Sequence, residues 1–193
     1  MSVSSFIFKI LFLGDSLTAG YLLNAESAYP ALIEKQLKTE GYQVQIVNGG
    51  VSGDTTSGGL RRLEWMLKSQ PDFVVVALGS NDMLRGLPLK DTRENLRKIL
   101  KRLDEDGIDS ALMGVKAAPN LGRDFERNFN TLYTQLGTEF KIPVLEEMIA
   151  SVRGKRIYNL YDGIHPNIEG HALLAKDILE FLRPSLKNAG LKK

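Results

Sequence analysis

The sequence predicts a three-layer α/β/α sandwich around a central parallel sheet of about five strands in the flavodoxin-like order 2-1-3-4-5. Two observations carry this. Short, nearly continuous apolar runs recur along the chain, and the segments between them carry apolar residues at helical spacing. Strands without polar alternation are buried on both faces, and only a parallel sheet covered by helices on both sides buries them so.

The elements follow in order. Residues 6–13 are apolar and β-rich and form the first strand. Leu32, Ile33 and Leu37 mark a helix, and residues 44–47 the second strand. Leu60, Leu63 and Leu67 place the next helix, before the run FVVVALG at residues 73–79, which is the third strand. A helix on Leu96, Ile99, Leu100 and Leu103 leads to a weaker strand at 110–115. Phe125, Phe129, Leu132, Leu136 and Phe140 then give a helix, and 142–145 a weak fifth strand. Ile168, Leu173, Ala175, Ile178, Leu179 and Leu182 make the last helix, with Pro184 expected to stop it. No repeat or linker divides the chain, so one domain over 1–193 is expected, its core at about 6–185.

Composition narrows the function. The 193 residues are 43% hydrophobic, enough for a sizeable core. A net charge of +2 from 25 basic and 23 acidic residues, dispersed along the chain, gives no footprint for nucleic acid. There is no cysteine, hence no disulfide and no thiolate nucleophile. No apolar run approaches the roughly 20 residues of a transmembrane helix. The start MSVSSFIFKILFL lacks a basic n-region and a cleavage site, so it reads as a strand with a short leader. The compartment stays open: cytoplasmic as written, periplasmic or secreted if a signal was removed. A monomer is expected.

In a 2-1-3-4-5 sheet, ligands bind at the carboxyl ends of the first and third strands, where the strand order reverses. The first ends in GDSLTAG at residues 14–20 and the third in Gly79-Ser80-Asn81. GDSLTAG lacks the second glycine of a G-x-S-x-G elbow, since Thr18 stands there. Asp15, Asp54 and Ser80 all resemble helix N-caps, and glycine-rich turns after strands are ordinary in α/β folds.

A serine becomes a nucleophile only with a base, usually histidine. His165 lies in YDGIHPN, where Pro166 holds it out of helical geometry ahead of the last helix, and Asp162 is placed to take its other ring N–H. The alternative reading of the Asp-x-x-His is a capped turn. His171 sits within the last helix at core spacing and reads as structural. Oxyanion donors are available from the Ser16 N–H at a helix start, the Gly53 N–H in VSGDTTSGG and the Asn81 side-chain amide.

Together, GDSLTAG, VSGDT, LGSNDMLRG and DGIHPN resemble, in order, four sequence blocks of the SGNH or GDSL hydrolase superfamily, over residues 14–167. The surrounding sequence resembles its bacterial thioesterase I/lysophospholipase/arylesterase branch. The resemblance implies a serine esterase acting on acyl esters and thioesters, with Ser16 as nucleophile, Asp162 and His165 completing a triad, Ser16, Gly53 and Asn81 forming the oxyanion hole, and no cofactor or metal. Ser80 departs from the glycine common in that branch, which bears on substrate range. Many relatives are exported, whereas no signal is visible here. Met83, Leu84 and Leu87 after the third strand, Pro119 after the fourth and Ile164 beside the base are candidates to line an acyl groove; the alternative is that they pack on neighbouring helices. Other functions compatible with the residues are a carbohydrate deacetylase on the same triad and a non-catalytic phosphate-binding module using the helix-start turns. A metal hydrolase on Asp162, His165 and His171 matches no common ligand spacing.

Overall fold

The computed structural model describes residues 7–193. Five parallel strands stand in the order β2-β1-β3-β4-β5: β1 Phe8–Gly14, β2 Val44–Gly50, β3 Phe73–Ala77, β4 Asp109–Met113 and β5 Val144–Leu145. Phe6, expected to open the first strand, lies outside the described residues. Helix α2, Tyr29–Thr39, packs with α7, Ile168–Asn188, on one face; α3, Thr56–Leu67, α5, Leu89–Glu105, and α6, Arg123–Phe140, cover the other. The expected sandwich and strand order are those observed.

β1 and β3 are central and fully covered, so β3 is buried at every residue. β2 and β5 are edges; β5 is only two half-exposed residues long, which explains its weak signal, whereas the equally weak β4 is buried from Ser110 to Met113. Where a strand is buried on both sides, hydrophobicity alone marks it; an edge strand has less apolar surface to hide.

Helix α7 does not stop at Pro184. It runs to Asn188 with the proline inside it. The proline removes one N–H, so the Glu180 carbonyl loses its helical partner. Both residues face water, which hydrates that group, while Leu182, Leu186 and Leu191 are buried and hold the last turns on the core. Burial of those leucines outweighs one lost hydrogen bond.

Two glycines let the carboxyl edge of the sheet close up. At Gly50 an added Cβ would lie 2.2 Å from the Ala19 nitrogen, so its absence lets the four-residue helix α1, Ser16–Ala19, sit on the end of β2. Gly79, at φ +116°, caps α4, Ser80–Leu84, and a Cβ there would meet the Tyr133 hydroxyl at 2.5 Å. Ser80 is therefore the first residue of α4 rather than its N-cap. The left-handed turn that starts the helix is one only glycine adopts freely.

Candidate active site

β1 ends, the chain turns at Asp15, and α1 begins with Ser16. The Asp15 carboxylate accepts from the Leu17 N–H at 3.0 Å, an N-cap that fixes the turn. Thr18 is fully buried, its hydroxyl 2.8 Å from that of Tyr29, and the Tyr29 N–H donates to His171 Nδ1 at 3.2 Å. His171 thus ties α7 to α2. Burial, with the nearby His165 as a smaller cause, lowers its pKa to about 4, so it is neutral. It is structural, as expected.

The loop that carries His165 is closed at both ends. Asn159 and Pro166 form an antiparallel bridge, the Leu160 N–H donates to the His165 carbonyl at 2.7 Å, and the Asn167 N–H donates to the Tyr158 carbonyl at 2.9 Å. Asn167 also caps α7 by accepting from the Gly170 N–H. Within the loop Asp162 Oδ1 accepts from the N–H groups of Ile164 and His165, at 2.9 and 3.0 Å. Its Oδ2 lies 2.7 Å from His165 Nδ1, and His165 Nε2 lies 2.9 Å from Ser16 Oγ. The capped turn and the Asp–His pair are one structure.

The donated His165 N–H is the main cause that lowers the Asp162 pKa to about 2, helped by the imidazole contact and the Ile164 N–H. An ionised carboxylate only accepts, so Nδ1 carries the hydrogen and Nε2 is left to accept from Ser16 Oγ. Asp15 behaves oppositely. Its carboxyl is almost wholly buried, and burial raises its pKa to about 6 against the lowering effects of the Leu17 N–H, the Ser80 hydroxyl and His165.

Asn81, in α4, donates through Nδ2 to the Asp54 carbonyl at 2.9 Å and reaches Asp15 Oδ2 at 3.4 Å. Gly53 sits at φ +78° in the turn after β2, and among the described residues neither its N–H nor that of Ser16 has an acceptor. Three side chains that spacing does not single out fasten this turn. Arg85 donates to the Gly53 carbonyl at 2.6 Å; Arg62 bridges Asp54 at 2.7 Å and the Gly14 carbonyl at 2.9 Å; the buried Asp82 accepts from the N–H and hydroxyl of Thr56, at 2.9 and 2.5 Å. Thr55 caps α3 through Gly58. Asp82 and Arg85 are charged residues in or just after the short helix α4, and Arg62 is one among several on α3, which is too common a placement to be read.

A crevice of about 320 Å³ opens beside Ser16, Asn81 and His165. Of the candidates for an acyl groove, Met83, Leu84 and Ile164 line it, but Leu87 does not; it lies with Pro88 and Asp91 instead. The chain turns back toward α5 after Gly86, and this carries Leu87 away. Pro119 opens a 3-10 turn, and its side chain lies outside the described residues. The opposite wall comes from Val115, Ala118, Ile149 and Val152. Ile149 and Val152 belong to the irregular segment after β5, which has no periodicity to betray it. A larger depression of about 620 Å³ between α2 and α7 contains none of these reactive groups. Among the described residues no cluster of three or more acidic or histidine side chains is arranged to hold a metal, and no helix is long and apolar enough to cross a membrane.

Comparison with known proteins agrees with this geometry. The family model for GDSL-like lipases and acylhydrolases matches residues 12–173. The chain is 37% identical to thioesterase 1/protease 1/lysophospholipase L1 of Escherichia coli K12 over 91% of its own length and 83% of that protein. It is 34% identical to an arylesterase of Vibrio mimicus, over 90% and 88%. The crystal structure of the psychrotrophic esterase EstA from Pseudoalteromonas, inhibited by monoethylphosphonate, superposes with a TM-score of 0.88 at 29% identity, covering 93% of this chain and 98% of that one. On this agreement over nearly its whole length, the chain belongs to the GDSL-like lipase/acylhydrolase family and is a hydrolase of ester bonds.

Proposed function

We propose that Ser16 is the nucleophile of an acyl ester and thioester hydrolase that works through an acyl-enzyme. The observation that carries this is the unbroken contact Ser16 Oγ–His165–Asp162, at 2.9 and 2.7 Å. As Oγ attacks the substrate carbonyl, His165 Nε2 takes its proton, and the anionic Asp162 stabilises the imidazolium. The carbonyl oxygen becomes an oxyanion beside the Ser16 N–H, the Gly53 N–H and Asn81 Nδ2. Donors of this kind are each worth about 3 kcal/mol when prearranged. Collapse expels the alcohol or thiol, which takes the proton from His165. Water then attacks the acyl-serine with His165 again as base, and the acid leaves. Each step balances with side chains and water alone.

The crevice supports an acyl chain rather than a bare acetyl group. Met83, Leu84, Val115, Ala118, Ile149 and Val152 supply an apolar lining close to Ser16. Relatives named as arylesterase and thioesterase/lysophospholipase point to the same substrate class. A fluorophosphonate should label Ser16 one to one, since a tetrahedral phosphonate has the shape of the intermediate. Labelling and turnover should both disappear in Ser16→Ala, with kcat down by about 10⁴-fold or more. Full turnover by Ser16→Ala would overturn the assignment.

A further inference from the structure

The Ser16 and Gly53 N–H groups lie beyond the ends of two neighbouring strands, and the sheet holds them together only in part. Its last link is the Val51 N–H, which donates to the Gly14 carbonyl at 3.1 Å. Beyond Val51 the chain leaves β2 and turns, with the Asp54 N–H donating to the Val51 carbonyl at 3.0 Å. Among the described residues no ladder hydrogen bond fixes Gly53 against Ser16.

Arg62, on α3, spans this gap. Its Nη2 donates to the Gly14 carbonyl at 2.9 Å, two residues before Ser16, and its Nε donates to Asp54 Oδ2 at 2.7 Å, one residue after Gly53. Asp54 also holds Asn81, whose Nδ2 donates to the Asp54 backbone carbonyl at 2.9 Å. The segments carrying all three oxyanion donors therefore meet at one ion pair. Arg85 and Asp82 each fasten the turn from one side, whereas Arg62 joins it to the end of β1.

The surroundings are shaped for this pair. Asp54 Oδ1 accepts from the Thr55 N–H at 3.1 Å, so both carboxylate oxygens are engaged. A Cβ at Gly58 would lie 1.6 Å from Oδ1, so the first turn of α3 carries a poor helix former where the carboxylate needs the space. The two side chains are 18 and 12% exposed, and salt screens a pair so sheltered only weakly. Neither lines the crevice.

We propose that the Arg62–Asp54 pair positions the oxyanion hole, setting the separation of the Ser16, Gly53 and Asn81 donors without touching substrate. The inference rests on the esterase reading above. Such donors act only where they aim at the developing oxyanion, and a displacement of about 1 Å can cost about 100-fold in rate. The crevice walls, which bind the ground state, stay in place. Loss of the pair therefore lowers kcat and spares KM.

The test compares wild type with Asp54→Asn, Arg62→Met and the double variant, using p-nitrophenyl esters and two inhibitors of equal chain length. An octyl trifluoromethyl ketone takes up the Ser16 oxygen and becomes a tetrahedral oxyanion, its proton passing to His165; the octyl methyl ketone only fills the crevice. Each single substitution is expected to lower kcat about 10- to 100-fold, to weaken the trifluoromethyl ketone by a similar factor, and to leave KM and methyl ketone inhibition within about twofold. The double variant should fall no more than about twofold below the weaker single, since the two side chains act as a unit. Arg62→Lys keeps the charge without the planar fork and should stay at least about fivefold below wild type. Asn retains one of the two carboxylate oxygens and nearly the same shape, so Asp54→Asn decides the matter if Arg62→Met does not fold. Unchanged kcat in Asp54→Asn, losses that multiply in the double variant, full rate in Arg62→Lys, or loss of methyl ketone inhibition together with kcat would each overturn positioning while leaving the triad assignment intact. A wild-type enzyme insensitive to the trifluoromethyl ketone would overturn both.

Discussion

The ring of Tyr21 packs against the imidazole of His165, with centroids 4.5 Å apart and planes inclined by 40°. An aromatic face at this distance attracts a cation, and in the proposed mechanism the imidazole becomes one as Ser16 gives up its proton. The ring also limits where the imidazole can turn. Tyr21→Ala is expected to lower kcat about three- to fivefold with KM nearly unchanged, and Tyr21→Phe to restore it. A fall in KM-linked binding with kcat intact would assign Tyr21 to the substrate instead.

Asp162 holds its loop and, in the proposed mechanism, stabilises the imidazolium, and one substitution separates the two. Asn at this position still accepts from the Ile164 and His165 N–H groups, so the loop is kept, but the charge is gone. Asp162→Asn is expected to cut kcat by about 10²- to 10⁴-fold. A carboxyl whose folded pKa lies below its ordinary 3.8, at about 2, adds stability above pH 3.8 that is lost as the pH falls through 2. The difference in melting temperature between wild type and Asp162→Asn should therefore be constant above about pH 4 and shrink toward pH 2.

Leu84 is more than half exposed and lines the crevice, so changing it should spare the fold. Leu84→Asp places a charge beside the proposed acyl site. The ratio of kcat/KM for octanoyl over acetyl esters is expected to drop about tenfold or more, with denaturation unchanged within about 0.5 kcal/mol. An unaltered chain-length profile would remove Leu84 from the acyl groove.

Two buried groups oppose one another in the pH dependence of stability. Between pH 3.8 and about 6 the folded chain holds a proton on Asp15 that the unfolded chain has released, so stability falls as pH rises. Between pH 6.5 and about 4 the unfolded chain takes up a proton that folded His171 refuses, so stability falls as pH drops. Each effect is about 3 kcal/mol at most, and in the wild type they largely cancel between pH 4 and 6. Urea denaturation across that range should show Asp15→Asn losing stability on acidification. Asn retains the cap on Leu17, so the Asp15 charge is the main thing removed. His171→Gln should show the reverse slope, gaining stability on acidification.

How far the sequence reaches differs from element to element. The 73–79 run is a strand on sight because β3 is buried on both faces, whereas β5 is two residues long and half-exposed and leaves only a faint trace. Ser16, Asp162, His165, Gly53 and Asn81 were singled out because four motifs stand in order at strand ends and in one loop, and the structure brings Ser16, His165 and Asp162 into contact. Leu87 was misplaced because its position depends on a turn at Gly86 that periodicity does not encode. Pro184 was read as a stop because a local rule cannot weigh one lost hydrogen bond against three leucines buried on the core.

The sequence by itself determined the sandwich, its strand order and the residues able to carry ester chemistry, since burial periodicity and residue type are local properties of the chain. Tertiary structure alone decided the 2.9 Å meeting of Ser16 with His165 across 149 residues. It also decided the clamping of the Gly53 turn by Arg62, Arg85 and Asp82 and the crevice wall of Ile149 and Val152. These are contacts between distant segments, and only the packing of helices on the sheet sets them.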